Sequence, residues 1–88
     1  ASRMLTWKSA YESDNGIRNT ESAAHAKRFA ADTAMEVSTD AVQIFGGYGY
    51  SEEYPVARLM RAAKVMQIYE GSSQVQRMII GREITSQF

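Results

Sequence analysis

Eighty-eight residues make one domain at most, able to bury roughly 60–65% of its unfolded surface, which is too little for a large cofactor enzyme with its own substrate cavity. Ten basic and ten acidic residues balance one another, so no nucleic-acid or membrane-surface field is implied. There is no cysteine and a single histidine, His25, which excludes disulfides, thiolate chemistry and a histidine-rich metal site, and no metal is expected.

No apolar run approaches the ~18 residues of a membrane span, and no signal peptide is visible. The chain opens as Ala1-Ser2-Arg3-Met4-Leu5-Thr6-Trp7, already in helical rhythm, and is expected to be a run of helices from a longer protein. Residues 2 to 13 form the first helix: Met4, Trp7 and Tyr11 recur at helical spacing, with Leu5 and Ala10 widening the stripe. Core packing is the expected role of Trp7 and Tyr11. Asp14-Asn15-Gly16 is a strong stop.

Asn19 and Thr20 are candidate N-caps of a second helix with Glu21 in its first turn. It runs to about Phe45, roughly 39 Å at 1.5 Å per residue. Its inner stripe is Ala23, Ala26, Ala30, Ala34, Val37, Ala41 and Ile44, small residues that suit close approach of another helix. A second apolar line, Ala24, Ala31, Met35 and Val42, implies burial on more than one side. Lys27, Arg28, Asp32, Glu36 and Asp40 are expected on the wet face, with His25 at the surface or edge.

Gln43-Ile44-Phe45-Gly46-Gly47-Tyr48-Gly49-Tyr50 ends that helix in glycines, which allow a turn or a close approach to a neighbour or ligand. It is not a dinucleotide fingerprint, because no strand precedes it and the glycine spacing fails. A third helix opens at Tyr54-Pro55, with proline at or near its first position. Val56, Leu59, Met60, Ala63 and Met66 or Gln67 mark its buried stripe, and Arg58, Arg61 and Lys64 a basic face. The last helix, from Ser72 or Ser73 to about Ser86, is expected to bury Val75, Met78, Ile79 and Ile80, leaving Arg77, Arg82 and Glu83 as polar positions. The fold class is all-α, an antiparallel helical bundle of about four helices.

Between the last two helices lies Gln67-Ile68-Tyr69-Glu70-Gly71-Ser72-Ser73-Gln74-Val75-Gln76. Gly71 is the stop signal, and Ser73-x-x-Gln76 fits a capping box for the next helix. Glu70 therefore sits on a short, sharply turned connection beside unpaired N–H groups. Two readings stand: a carboxylate that complements the helix dipole, or one held at the mouth of a pocket to take a proton.

Two long motifs carry a resemblance. The segments Ala41–Tyr50 and Gln67–Arg77, supported by Glu53-Tyr54-Pro55-Val56, Leu59–Lys64 and Ile79-Ile80-Gly81-Arg82-Glu83, resemble the C-terminal signature of the acyl-CoA dehydrogenases, most of all the short- and medium-chain branch. The likeness covers almost the whole chain. It implies a flavoenzyme that oxidises an acyl-CoA thioester to the trans-2-enoyl-CoA, a carboxylate removing the α-proton while the β-hydrogen leaves as hydride to the flavin N5, with electrons passing to an electron-transfer flavoprotein.

Glu70 matches the family's base, and a general base must reach the proton from a site whose dryness raises its proton affinity. Gly71 matches a position against the substrate, and Arg82 one that contacts substrate in some members. Gln43, Ile44, Phe45, Gly46 and Gly47 match the segment that holds FAD from an adjacent subunit. Ser72, Ser73 and Gln74 match the segment that contacts FAD in the other half of the site, where helix-start N–H groups suit a pyrophosphate. Ser72 stands where threonine is common and Tyr48 where asparagine is frequent. The resemblance further implies that residues 1–88 are part of the C-terminal helical domain, without the family's N-terminal helical and middle β domains. The intact protein is then expected to be a homotetramer, and this chain alone inactive. The competing expectations are a helical self-assembly module with idle site residues and an acyl-CoA oxidase-like relative.

Overall fold

The computed structural model describes residues 1–87, and the elements among them are helices only. They are α1 (Ser2–Asp14), α2 (Thr20–Phe45), α3 (Gly47–Tyr50), α4 (Pro55–Met66) and α5 (Ser73–Thr85). The four expected helices are present, and the glycine-rich stretch after α2 adds a single short turn, α3. That turn is possible because Gly46 takes φ 66°, a left-handed conformation that costs glycine little. Gly49 then packs so closely that a Cβ there would lie 2.5 Å from the Val42 carbonyl oxygen and 2.7 Å from Phe45 Cβ.

The 26 residues of α2 form a spine on which α1, α3, α4 and α5 all pack. After α3 the chain returns along α2 in two successive pieces. Val56 and Leu59 of α4 lie beside Ala34, Val37 and Ala41 in the second half of the spine. Ser73, at the start of α5, bonds Asp32, Arg18 bonds Glu83 near its end, and Gln87 reaches Glu21. Both helices therefore run antiparallel to α2, with the break between them facing its middle. The first connection is anchored as well: the Asn19 amide donates to the Ser9 carbonyl at 3.1 Å, drawing α1 back along α2.

Side-chain placement departs from the periodicity in four places, the first in α4, where Leu59 and Met66 of the expected stripe are exposed and Val56 and Ala63 are buried. In α1 the half-buried residues are Ser2, Leu5, Ser9 and Glu12, one helical face turned to α2, whereas Met4, Trp7 and Tyr11 are 64%, 59% and 64% exposed. Core packing is thus not their role within this chain. In α2 the second apolar line carries the burial, with Ala24 and Ala31 buried alongside Ala26. Of the first stripe, Ala30, Ala34, Val37 and Ala41 line open clefts, so their small side chains leave room where a closer helix contact was expected. In α5 the buried residues are Ser73, Gln76 and Glu83, with Val75 and Met78 exposed. Each of those three polar residues faces inward because a partner waits there: Asp32 for Ser73, loop carbonyls for Gln76, and Arg18, at 2.7 Å, for Glu83.

Candidate active site

The connection between α4 and α5 is a loop pinched at its neck. The helix α4 ends at Met66, and Gln67 and Ile68 close its last turn through 3₁₀-type bonds, each 3.0 Å long, to the Lys64 and Val65 carbonyls. Six residues beyond Gln67, the Ser73 N–H donates back to the Gln67 carbonyl at 3.0 Å. Between these points two consecutive residues lie in the left-handed region, Glu70 at φ 55° and Gly71 at φ 91°. For Gly71 this costs little. For a glutamate it costs about 1–2 kcal/mol, and Glu70 is the one non-glycine residue among those described with positive φ.

Partners outside the loop hold that conformation. The Gln76 amide donates to the Glu70 and Gly71 carbonyls, at 3.5 and 3.3 Å. A Cβ on Gly71 would strike that same amide nitrogen. From α2, the Lys27 ammonium donates to the Met66 carbonyl and, at 3.5 Å, to that of Gly71. The Gln67 amide and the Ser73 hydroxyl both donate to Asp32 Oδ1 at 2.8 Å, and Arg77 reaches Asp32 Oδ2 at 3.2 Å. Burial pushes the Asp32 carboxyl up, but the hydrogen bonds from Ser73 and Gln67 and the charges of Arg77 and Arg28 outweigh it, holding the group below its ordinary value. Lys27 and Asp32, expected on the wet face, are therefore structural anchors. Their polarity is used across the interface because the loop presents unpaired backbone and side-chain groups there.

The capping box expected at Ser73 and Gln76 is replaced by a different arrangement. Ser72 is the N-cap, its hydroxyl accepting from the Val75 N–H at 3.3 Å, which frees Gln76 to reach back into the loop. Glu70 lines a cleft of about 370 Å³ with Lys27, Ala30, Ala31, Ala34, Met66 and Tyr69. Lys27 sits over the Tyr69 ring, 5.7 Å from its centroid. Apart from the ionic ends of Lys27 and Glu70 the lining is apolar, and its floor is built of alanines. Glu70 itself is exposed, so exclusion of water from this carboxylate has to come from whatever covers the cleft. A larger hollow of about 540 Å³ lies at Glu52, Ala57, Arg58, Arg61 and Ala62. It holds none of the residues singled out for chemistry, and the smaller cleft is the candidate site.

The residues matched to FAD fall into two groups that α2 keeps apart. Ser72 and Gln74 lie where α5 meets Asp32, while Gln43, Ile44, Phe45, Gly46 and Gly47 occupy the far end of the spine. Gln43 lies eleven positions beyond Asp32, roughly 16 Å of helix, so one chain does not bring the two groups into one site. Each group nevertheless offers what a dinucleotide needs. Nothing lies within 4 Å of a Cβ placed on Gly46 or Gly47, leaving backbone open to close approach. The Ser72 hydroxyl and the exposed Gln74 amide stand at a helix start. Ser73 differs from them in placement: it is 3% exposed, its hydroxyl donates to Asp32 and its N–H to Gln67. Arg82 lies late in α5, on the order of 15 Å of helix from Ser72, with its guanidinium 3.5 Å from Glu83. The structure thus gathers Glu70, Gly71, Ser72 and Gln74 around one loop and leaves Arg82 and residues 43–47 elsewhere.

Sequence reasoning missed Lys27, Asp32 and Gln76 as supports of that loop. Lys27 and Asp32 read as wet-face residues and Gln76 as part of a capping box, because the signals there are local while the bonds of Lys27 and Asp32 to the loop cross between helices.

Comparison with known proteins agrees with this architecture. Residues 1–85 match the family described as acyl-CoA dehydrogenase, C-terminal domain. The chain is 52% identical over 84 residues to a cyclohexane-1-carbonyl-CoA dehydrogenase of Geobacter metallireducens, covering 96% of this chain and 22% of that protein. It superposes on butyryl-CoA dehydrogenase from Megasphaera elsdenii with a TM-score of 0.91 at 57% identity, covering 96% of this chain and 22% of the other. A chain in a structure of the electron transferring flavoprotein of Acidaminococcus fermentans, concerned with flavin-based electron bifurcation, gives a TM-score of 0.90 at 53% identity, covering 94% of this chain and 22% of that one. The chain spans little more than a fifth of the length of these relatives. A family match over nearly every residue and an all-helical fold that superposes closely lead to one conclusion: this chain belongs to the acyl-CoA dehydrogenase family, as part of its C-terminal domain.

Proposed function

We propose that this chain contributes the catalytic base and two half-sites for FAD to an acyl-CoA dehydrogenase, with Glu70 removing the α-proton of an acyl-CoA thioester to give the trans-2-enoyl-CoA. The observation that carries this reading is Glu70 held at φ 55° on the rim of an apolar cleft. A helix-dipole complement needs no such conformation, and a positive-φ glutamate is retained where the surroundings impose it. In the proposed site the alanine floor of the cleft accepts apolar surface of the substrate. Gly71, lacking a side chain, gives the thioester room, and the Glu70 carboxylate takes the proton from the carbon next to the thioester carbonyl. Ser72 and Gln74 of one subunit and Gln43–Gly47 of another hold FAD, and Arg82 serves a more distant part of the acyl-CoA. When bound, FAD would supply the hydride acceptor for the β-hydrogen, with an electron-transfer flavoprotein as the onward acceptor of the electrons.

The cleft has one wall in this chain, so the reading requires the remainder of a longer protein, and the isolated chain is expected to be inactive. The test is Glu70→Gln in the full-length, flavin-loaded protein. Turnover should fall by roughly 10²–10⁴-fold with flavin content and folding kept, and turnover at the parent rate would remove Glu70 as base. The exposure of Met4, Trp7 and Tyr11 favours, as a second reading, a helical assembly surface whose site residues are idle, and an unaltered rate in that variant would support it. Comparing air-saturated buffer with a flavoprotein acceptor separates a dehydrogenase from an oxidase-like relative.

A further inference from the structure

The loop that carries Glu70 is shaped from outside itself, and one residue of α2 governs its neck. We propose that Asp32 is a positioning residue for Glu70: by accepting hydrogen bonds from both ends of the 67–73 loop, it fixes the loop in the left-handed form that sets the glutamate on the rim of the cleft. This rests on the reading of Glu70 as the base.

Gln67 and Ser73 stand on opposite sides of the loop, and their side chains converge on the same oxygen, Asp32 Oδ1, each at 2.8 Å. One shared acceptor sets the separation of the two ends more narrowly than the 3.0 Å backbone bond between them does alone. The second oxygen is engaged by Arg77 at 3.2 Å, so the carboxylate has little freedom to rotate. Both neck bonds are made to a group that the surrounding donors and cations keep ionised, and hydrogen bonds to an ionised acceptor are the stronger kind. Lys27 and Gln76 act on the loop carbonyls nearer its tip. They stabilise the turned peptides but leave the distance between the ends unset. A left-handed glutamate persists only when its context over-determines it, and a displacement of about 1 Å in a reacting group costs up to about a hundredfold in rate.

The experiment uses the full-length, flavin-loaded parent enzyme carrying Asp32→Ala, Asp32→Asn or Glu70→Gln. Rates are expressed per bound flavin and measured with ordinary and α-deuterated acyl-CoA. Asp32→Ala is expected to lower kcat by roughly 10- to 100-fold with KM little changed. It should also enlarge the isotope effect on kcat and speed amide exchange in residues 67–73. Asp32→Asn keeps an oxygen for Gln67 and Ser73 and is expected to restore most of the rate. A purely structural role would lower the yield of loaded enzyme and leave kcat per flavin and the isotope effect as in the parent. That outcome overturns the proposal, as does unaltered exchange in 67–73. Where Asp32→Ala fails to load flavin, Gln67→Ala removes one neck bond and is expected to shift the same quantities in the same direction, and parent values there overturn it equally. Full activity in Glu70→Gln defeats the base reading instead, and the exchange measurement reports on the neck independently of it.

Discussion

Asp32 and Glu70 are both carboxylates, and their surroundings give them opposite tasks. Asp32 receives three donors and is held ionised, whereas Glu70 has its backbone fixed and its carboxyl left at a cleft. The depressed titration of Asp32 has a definite consequence for acid stability. A carboxyl whose proton affinity is lower in the folded than in the unfolded chain adds stability that is complete above the ordinary value of 3.8. That stability is lost as the pH falls through the lower folded value. Asp32→Asn should therefore be less stable than the parent by about 1 kcal/mol near neutrality, and the difference should shrink as the pH falls below 3.8. Urea midpoints across that range check this. A constant difference at all pH values would show that the charge of Asp32 contributes nothing.

At the scale of the helix, the glycines after α2 divide by what surrounds them. A methyl group on Gly49 would press on the Val42 carbonyl and Phe45 Cβ, both on the helix that has just ended, and overpacking of backbone costs typically about 1–3 kcal/mol. Gly49→Ala is expected to lower the denaturation midpoint accordingly. Gly47→Ala, where the space is open, should leave the midpoint within about 0.5 kcal/mol while weakening flavin retention by the full-length protein. Equal midpoints for the two variants would sink the distinction. The same contrast bears on what the sequence could reveal. Helix existence and boundaries were legible because Asp14-Asn15-Gly16, the Gly46-Gly47 pair, Pro55 and Ser72 carry stop and start signals that act locally. The inward faces were less so. In α1, Met4, Trp7 and Tyr11 and the observed face of Ser2, Leu5, Ser9 and Glu12 have the same helical spacing. Hydrophobicity favoured the wrong one, because it marks surfaces meant for burial without saying against what. The site divided in the same way. The loop residues Glu70, Gly71 and Ser72 stood in one motif with Gln76, whose bonds to the loop are local, whereas Lys27 and Asp32 reach the loop through the antiparallel packing of α4 and α5 on α2, which no local pattern encodes.

Taken as a whole, the molecule is long and thin, with extents of 50 × 24 × 19 Å, and among the described residues no large side chain is completely buried. Its surface retains broad apolar residues, among them Ile44 at 83% exposure and Met78 at 73%. Such a surface is expected of a piece that meets further protein on several sides. The alanine-floored cleft is likewise a half-made cavity, with one wall of helix α2 and the loop and the rest open.

The length of α2 has a genetic consequence. Because it holds Gln43–Gly47 and Ser72–Gln74 at separate stations, a subunit under the proposed sharing lends its two halves to two different flavins. Consider a full-length variant disabled at Gly46 and another disabled at Gln74, each unable to hold flavin alone. When their subunits are mixed, a pair containing one of each has one pocket with both lesions and one with neither. Two inactive proteins, unfolded together and reassembled, should therefore regain flavin and turnover, and two alleles should rescue one another in a single cell. Failure of the mixture to bind any flavin, with mixed oligomers demonstrated by mass, would mean that each subunit builds its flavin site from its own residues.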